Sequence, residues 1–174
     1  MAQSYSEIFA AKEENVTSPD GQITVNLAGG KVADVNFAVG AYSRYRESDL
    51  EWQITALVKL TIVARKRSRR EAMKESMGHE LIPRQLSSKD RQYRKHLKEE
   101  IEGEAHSNRI SVYAIPGEFW DVKIRENSLA ESTGDEFISE CLSVVDQAMN
   151  DLQRKVRQEN NRVYGHVSDL RAIK

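Results

Sequence analysis

The sequence predicts an α+β protein of two tandem units, each a helix, a three-stranded antiparallel sheet and a long helix. Three observations predict it. The chain matches itself without a gap when slid by 87 positions, alternating apolar segments flank Gly29-Gly30 and again Pro116-Gly117, and each hairpin is followed by a long run with apolar residues three or four apart. Periods of two and of about 3.6 are the marks of strand and helix.

At that offset Ile23 to Phe37 lands on Ile110 to Ile124. Ile23/Ile110, Val25/Val112, Gly30/Gly117, Asp34/Asp121 and Val35/Val122 are identical, five of fifteen, where average composition gives roughly one. The helices supply independent support. Leu50 falls on Phe137, Ile54 on Cys141, Leu57 on Val144, Val58 on Val145 and Ile62 on Met149, spacings that gather each set on one helical face. Further on, Arg67 falls on Arg154 and Arg70 on Arg157. Matched register across strand, turn and helix favours duplication over convergence.

In chain order, Ser4 to Glu14 is expected to be a helix and Glu14 to Ser18 a short strand. Gln22 to Leu27 and Lys31 to Ala38 are expected to form a hairpin, since Gly29-Gly30 supplies the positive φ that a tight turn requires. Ser48 with Glu51 three residues later forms a capping-box signal, and a helix from residue 49 to about 77 follows. Pro83 breaks the link between units, cut here as 1-80 and 81-174. Ser87 to Glu102 is the leading helix of unit two. Arg109 to Ile115 and Glu118 to Arg125 flank Pro116-Gly117, and Thr133 with Glu136 repeats the capping box ahead of a helix from 135 to about 163. Units of this size have thin cores, so the two are expected to pair as an intramolecular pseudo-dimer, with further homo-oligomers open.

Charge is near balance, -1 overall, but uneven: residues 1–40 carry -3, 41–100 carry +6, 101–153 carry -8 and 154–174 carry +4. Local basic faces are therefore compatible with a neutral whole. The one cysteine excludes an internal disulfide and suits a reducing compartment. The polar N-terminus has no apolar core of a signal peptide, and the longest apolar stretch, Ile54 to Ala64, is broken by Lys59. A cytoplasmic protein with no membrane partner is expected.

The run from Ser18-Pro-Asp-Gly through Ile-Thr-Val-Asn-Leu-Ala-Gly-Gly-Lys-Val-Ala-Asp-Val-Asn-Phe37, then Asp49 to Arg70, resembles the YbaB/EbfC nucleoid-associated family over about 60 residues of each copy. Unit one is also similar to the related domain of accessory proteins linked to type VII secretion, through Leu50, Ile54, Ala64, Arg65 and Arg67. The first resemblance implies a small dimeric module that binds duplex DNA with little sequence preference. This chain departs from it in carrying two units covalently.

Arg65, Lys66, Arg67, Arg69 and Arg70 place five cations in six positions, and Arg154, Lys155 and Arg157 stand at the matching place in unit two. Such clusters neutralise phosphates and release counterions, giving affinity without sequence preference. They can equally be a solvated helix end. A second basic stretch, Lys89, Arg91, Arg94, Lys95 and Lys98, is interleaved with Tyr93 and His96, which are expected to pack on their own module. Tyr42, Arg44, Tyr45 and Arg46 form an aromatic–arginine loop, expected to fold onto the sheet, and Trp52 and Trp120 are expected to pack in the core or between units. His79, His96, His106 and His166 lack metal-ligand spacing, Cys141 lies on an apolar helix face, and no phosphate loop or nucleophile elbow is present. No cofactor and no enzymatic activity are expected. The sequence thus favours a nucleoid-type DNA-binding protein, with a protein-interaction module, such as a secretion accessory or chaperone-like factor, as the alternative.

Overall fold

The computed structural model describes residues 4–77, 86–117 and 119–164. Its elements in order are α1 (Tyr5–Ala10), β1 (Glu13–Thr17), β2 (Ile23–Ala28), β3 (Lys31–Phe37), a 3-10 turn (Tyr42–Arg44), α2 (Glu47–Met77), α3 (Ser88–Glu100), β4 (Gly103–His106), β5 (Ile110–Ile115), β6 (Phe119–Ile124) and α4 (Gly134–Tyr164). The class is α+β, with two antiparallel three-stranded sheets ordered β1-β2-β3 and β4-β5-β6. By contact the chain forms two compact units, Met1–Gln85 with Glu126–Ile138, and Leu86–Arg125 with Ser139–Lys174. Pro83, His79, Glu118 and His166 lie outside the described residues.

In unit one, a capping box starts α1. Ser4 Oγ accepts from the Glu7 amide, and the Ser4 amide donates to Glu7 Oε2 at 2.8 Å. The helix ends at Ala10, four residues short of the expected Glu14, and Glu13 and Glu14 join β1 instead. Pairing of Asn15-Val16-Thr17 with β2 outweighs local helix propensity, as tertiary context commonly does. Gly29 and Gly30 have φ of 56° and 71°, as a two-residue type I′ turn needs. A side chain at Gly30 would also collide with the Phe9 ring, its Cβ falling 2.6 Å from Cζ. α2 begins at Glu47, before the expected cap: the Leu50 amide already bonds the Arg46 carbonyl at 3.0 Å, so Ser48 lies inside the first turn.

In unit two, Ser87 caps α3 through Asp90, and Gly117 turns the hairpin at φ 105°. The second capping box is realised: the Thr133 amide donates to Glu136 Oε2 at 2.8 Å, and Thr133 Oγ1 accepts from the Glu136 amide at 3.3 Å.

The offset of 87 residues relates β2 to β5 and α2 to α4 end for end. It survives because the two hairpins spend one extra residue differently. In unit one the register shifts between Asn26 and Leu27, which leaves Ala33 as a bulge and closes the turn in two residues. In unit two the ladder is continuous and Ile115 pairs with Phe119, so the extra residue sits in the connection. The offset fails only at the first strand, where Val16 faces Val25 but Ala105 faces Val112. The connection from β4 to β5 is two residues shorter than that from β1 to β2.

The core of unit one draws on Val16, Ile23, Val25, Leu27, Leu50, Ile54 and Leu57; that of unit two draws on Ile110, Val112, Ala114, Trp120, Val122, Ile124, Cys141, Val144 and Leu152. Val58, Val145, Ile62 and Met149, placed on the same face from sequence, are only half-buried. No helix among the described residues is long and apolar enough to cross a membrane.

Candidate functional site

The basic run lies in α2. The buried row of this helix passes from Leu50, Ile54 and Leu57 to Ala64, Ser68 and Ala72. The residues become small where α1 and β1 lie against the helix. Two groups of the run are tied there: Arg67 Nη2 donates to Glu14 Oε2 at 2.7 Å, and Ser68 Oγ hydrogen-bonds the other oxygen of that carboxylate. Arg65, Lys66, Arg69 and Arg70 are exposed. Among the described residues Arg65, Arg69 and Arg70 make no ion pair. At about 100° per residue these cations do not share one face. Arg65 and Arg69 flank one side, Arg67 the other, and Lys66 and Arg70 point away from unit one.

The matching cluster in unit two is arranged differently. Arg154 bonds Asp151, Lys155 Nζ lies 2.8 Å from the same carboxylate, and Lys155 also donates to the Glu102 carbonyl at 2.8 Å. Asp151 further accepts from the Glu104 amide at 3.2 Å. Lys155, Arg154 and that amide hold its carboxyl down at about 2, against an ordinary 3.8. Arg157 stays exposed. Asp151 stands where α2 has Ala64, and it pairs two cations of this arm while Arg154 stays exposed.

A carboxyl with a depressed folded pKa contributes stability that is present above its unfolded value and lost as the pH falls through the folded one. Unit two should therefore weaken as the pH drops from about 4 towards about 2. Asp151→Asn should lower stability at neutral pH and remove that part of the acid dependence. Urea melts at several pH values would show it, and an unchanged acid slope would contradict it.

On α3, Tyr93 Oη donates to Asn160 Oδ1 at 2.6 Å and its ring meets Tyr164 edge-on at 5.2 Å, while His96 Nε2 lies 2.8 Å from Glu159. Both side chains thus pack on their own module, as expected. Arg162 first, then His96, hold the Glu159 carboxyl at about 2. Arg91, Arg94, Lys95 and Lys98 are exposed on the other side of the helix.

The aromatic–arginine loop folds onto unit one. Tyr42 Oη bonds Ser132 Oγ at 2.9 Å, Tyr45 Oη donates to Asp20 at 2.5 Å, and Arg44 reaches Gln22. Burial, reinforced by Asp20, pushes the Tyr45 phenol upward. Burial also pushes the Cys141 thiol to about 12, which leaves it protonated and unreactive. The described residues contain no cluster of His, Cys, Asp and Glu suited to a metal ion.

The tryptophans part company. Trp120 is 3% exposed, as expected of a core residue, but Trp52 is 60% exposed. Comparison with known proteins finds no matching family model, curated protein or solved structure. The two long helices, α2 and α4, have the same length and lie 87 residues apart, so they can be compared position by position.

Trp52, Lys59, Val63, Lys66, Arg70 and Met77 fall within about 60° of one another, opposite the buried row of α2. All are exposed, with Val63 at 62% and Met77 at 48%, and Leu60 at 42% flanks them. At matched positions α4 carries Ser139, Asp146, Asn150, Gln153, Arg157 and Tyr164, with Gln147 on the flank. α2 thus presents an apolar and basic outward side where α4 is polar apart from Arg157 and the half-exposed Tyr164 at its end. Sequence reasoning assigned Trp52 to packing and passed over Leu60 and Val63. The signal was available: projecting residues 52, 59, 63, 66 and 70 against the apolar row places them on the opposite side.

Proposed function

We propose that this chain is a non-enzymatic protein-interaction module, made of two fused YbaB/EbfC-like copies, that binds its partner through the outward side of α2. The contrast between α2 and α4 carries the reading. Scattered exposed apolar residues are ordinary. An exposed tryptophan aligned with valine, leucine and methionine, where the sister helix is polar, is the composition of an interface centre.

Binding of duplex DNA is the second reading. Exposed Arg65, Lys66, Arg69 and Arg70 favour it. The tying of Arg67 to Glu14, and of Arg154 and Lys155 to Asp151, weighs against the paired grip on phosphate.

The sister helix provides the test. Trp52→Ser with Val63→Asn installs the residues α4 carries at those positions. Surface changes of this kind should leave stability within about 0.5 kcal/mol. Loss of a tryptophan anchor at an interface costs about 2 kcal/mol or more, roughly 30-fold in affinity. Capture from a nuclease-treated extract of the source cells, quantified by mass spectrometry, should lose its protein partner with the double variant. Partners retained by that variant would overturn the reading. Salt-sensitive shifting of random duplex DNA, abolished when Arg65, Arg69 and Arg70 are replaced by glutamine, would move the function to DNA.

A further inference from the structure

The helix α3 is the part of unit two with the least apolar content. Ser88–Glu100 holds one aliphatic residue, Leu97, and none of its 13 residues is buried. Asp90, Tyr93, His96 and Leu97 are half-buried on one side, and the other nine are exposed. A helix of this length is marginal in water by itself, so α3 depends on what that one side touches.

We infer that α3 is a releasable latch, which lifts off the C-terminal half of α4 while the sheet and the rest of α4 stay folded.

The side of α3 that is half-buried meets α4 through polar groups and rings. Tyr93 Oη donates to Asn160 Oδ1 at 2.6 Å, and His96 Nε2 lies 2.8 Å from Glu159 Oε1. Tyr164 gathers three further contacts. Its ring meets Tyr93 edge-on at 5.2 Å, Lys89 Nζ stands 5.1 Å over it, and its hydroxyl donates to Asp90 Oδ1 at 3.3 Å. The far end of α3 rests near the β5–β6 turn, where a Cβ added at Gly117 would lie 3.4 Å from Lys98 Cε. Water reaches these contacts: Tyr164 is 45% exposed. It competes for polar partners, so each such contact adds little net stability.

The N-terminal half of α4 is held differently. Cys141, Val144, Ala148 and Leu152 are buried, and burial of apolar side chains is the main source of stability. Segments with few buried apolar groups open locally, at a lower free energy than the unit as a whole, and movable elements are drawn from them.

The latch also has something to cover. Along α4, Val156, Glu159, Asn160, Val163 and Tyr164 fall within about 140° of one another. Glu159, Asn160 and Tyr164 mark this as the side beneath α3, and Val156 and Val163, both half-buried, lie between them. When α3 lifts, the two valines are uncovered and continue the apolar row of Val144, Ala148 and Leu152. Tyr93 and Leu97 are uncovered with them. In the closed form α3 itself occupies this strip.

Hydrogen exchange of the full-length protein, followed by mass spectrometry, tests the latch. After correction for intrinsic rates, the amides of α3 should exchange about 100-fold or more faster than those of Cys141–Leu152. Tyr164→Ala removes three contacts at once from an exposed position. It should speed exchange in α3 by about a further tenfold, as expected for the loss of a ring pair and its neighbours. Cys141–Leu152 and β4 to β6 should keep their rates. Tyr164→Phe, which keeps the ring, should fall between. A thermal melt of Tyr164→Ala close to that of the parent would show that the unit stays folded.

Exchange of α3 in step with Cys141–Leu152 would overturn the inference, because α3 would then open only with the whole unit. Exchange of α3 at the intrinsic rate would overturn it from the other side, since a latch has to close. Tyr164→Ala that leaves α3 unchanged, or speeds α3 and Cys141–Leu152 alike, would overturn it as well.

Discussion

Phe137→Ala should cost about 3–5 kcal/mol, the usual range for emptying a buried phenylalanine site. For a chain of this length that is a fall of roughly 6–20 °C in melting temperature. Phe137 is 1% exposed, although it stands in the first turn of α4. It belongs to unit one, where its ring lies 5.8 Å from that of Tyr42. Tyr42 in turn lies 5.1 Å from Phe37, which lies 6.1 Å from Tyr45. Removing one ring from this cluster leaves its neighbours facing a void, and the hydrogen bond of Tyr42 to Ser132 loses its backing. Leu50→Ala at the matched position, also fully buried, provides a second core truncation in the same unit. Urea and thermal melts measure both. A loss below about 1 kcal/mol for Phe137→Ala would mean that the cluster does not hold this segment.

Gly103→Ala should destabilise unit two by about 1–3 kcal/mol, the range for forcing extra volume into a filled site. An added Cβ would fall 2.5 Å from Leu152 Cβ, 2.7 Å from the Ala148 carbonyl oxygen and 2.8 Å from Leu152 Cα. Two of those three atoms are backbone of a helix and cannot turn aside as a side chain can. β4 can approach α4 this closely only where it has no side chain. The backbone at Gly103 has no positive φ, in contrast to Gly117, so the effect is one of space alone. Ala105, next along the strand on the same face, shows that a methyl is accepted one step away. A melt superimposable on that of the parent protein would refute the close approach.

The repeat, the hairpins and the long helices were legible in the sequence because each is written in short-range terms. Gly29-Gly30 marks a turn through the conformations glycine allows, and Thr133 with Glu136 caps a helix through residues three apart. The spacing of Leu50, Ile54 and Leu57 shows a buried side whatever covers it. The spacing of 87 residues relates hairpin to hairpin and helix to helix even though one hairpin carries a bulge and the other a longer connection, since both devices use one residue.

What the sequence by itself determined is therefore the α+β class, the order of elements and the one apolar row on each long helix. Only the tertiary structure decided where α1 stops, because β1 is claimed by pairing with β2. It alone assigned Arg67 to Glu14, 53 residues away in the chain, and joined Lys155 to the Glu102 carbonyl, and it alone left Trp52 in solvent while burying Trp120. Ion pairing and exposure depend on which distant groups the fold brings near. Short-range periodicity shows that a surface exists, and long-range packing determines which of its side chains remain available to a partner.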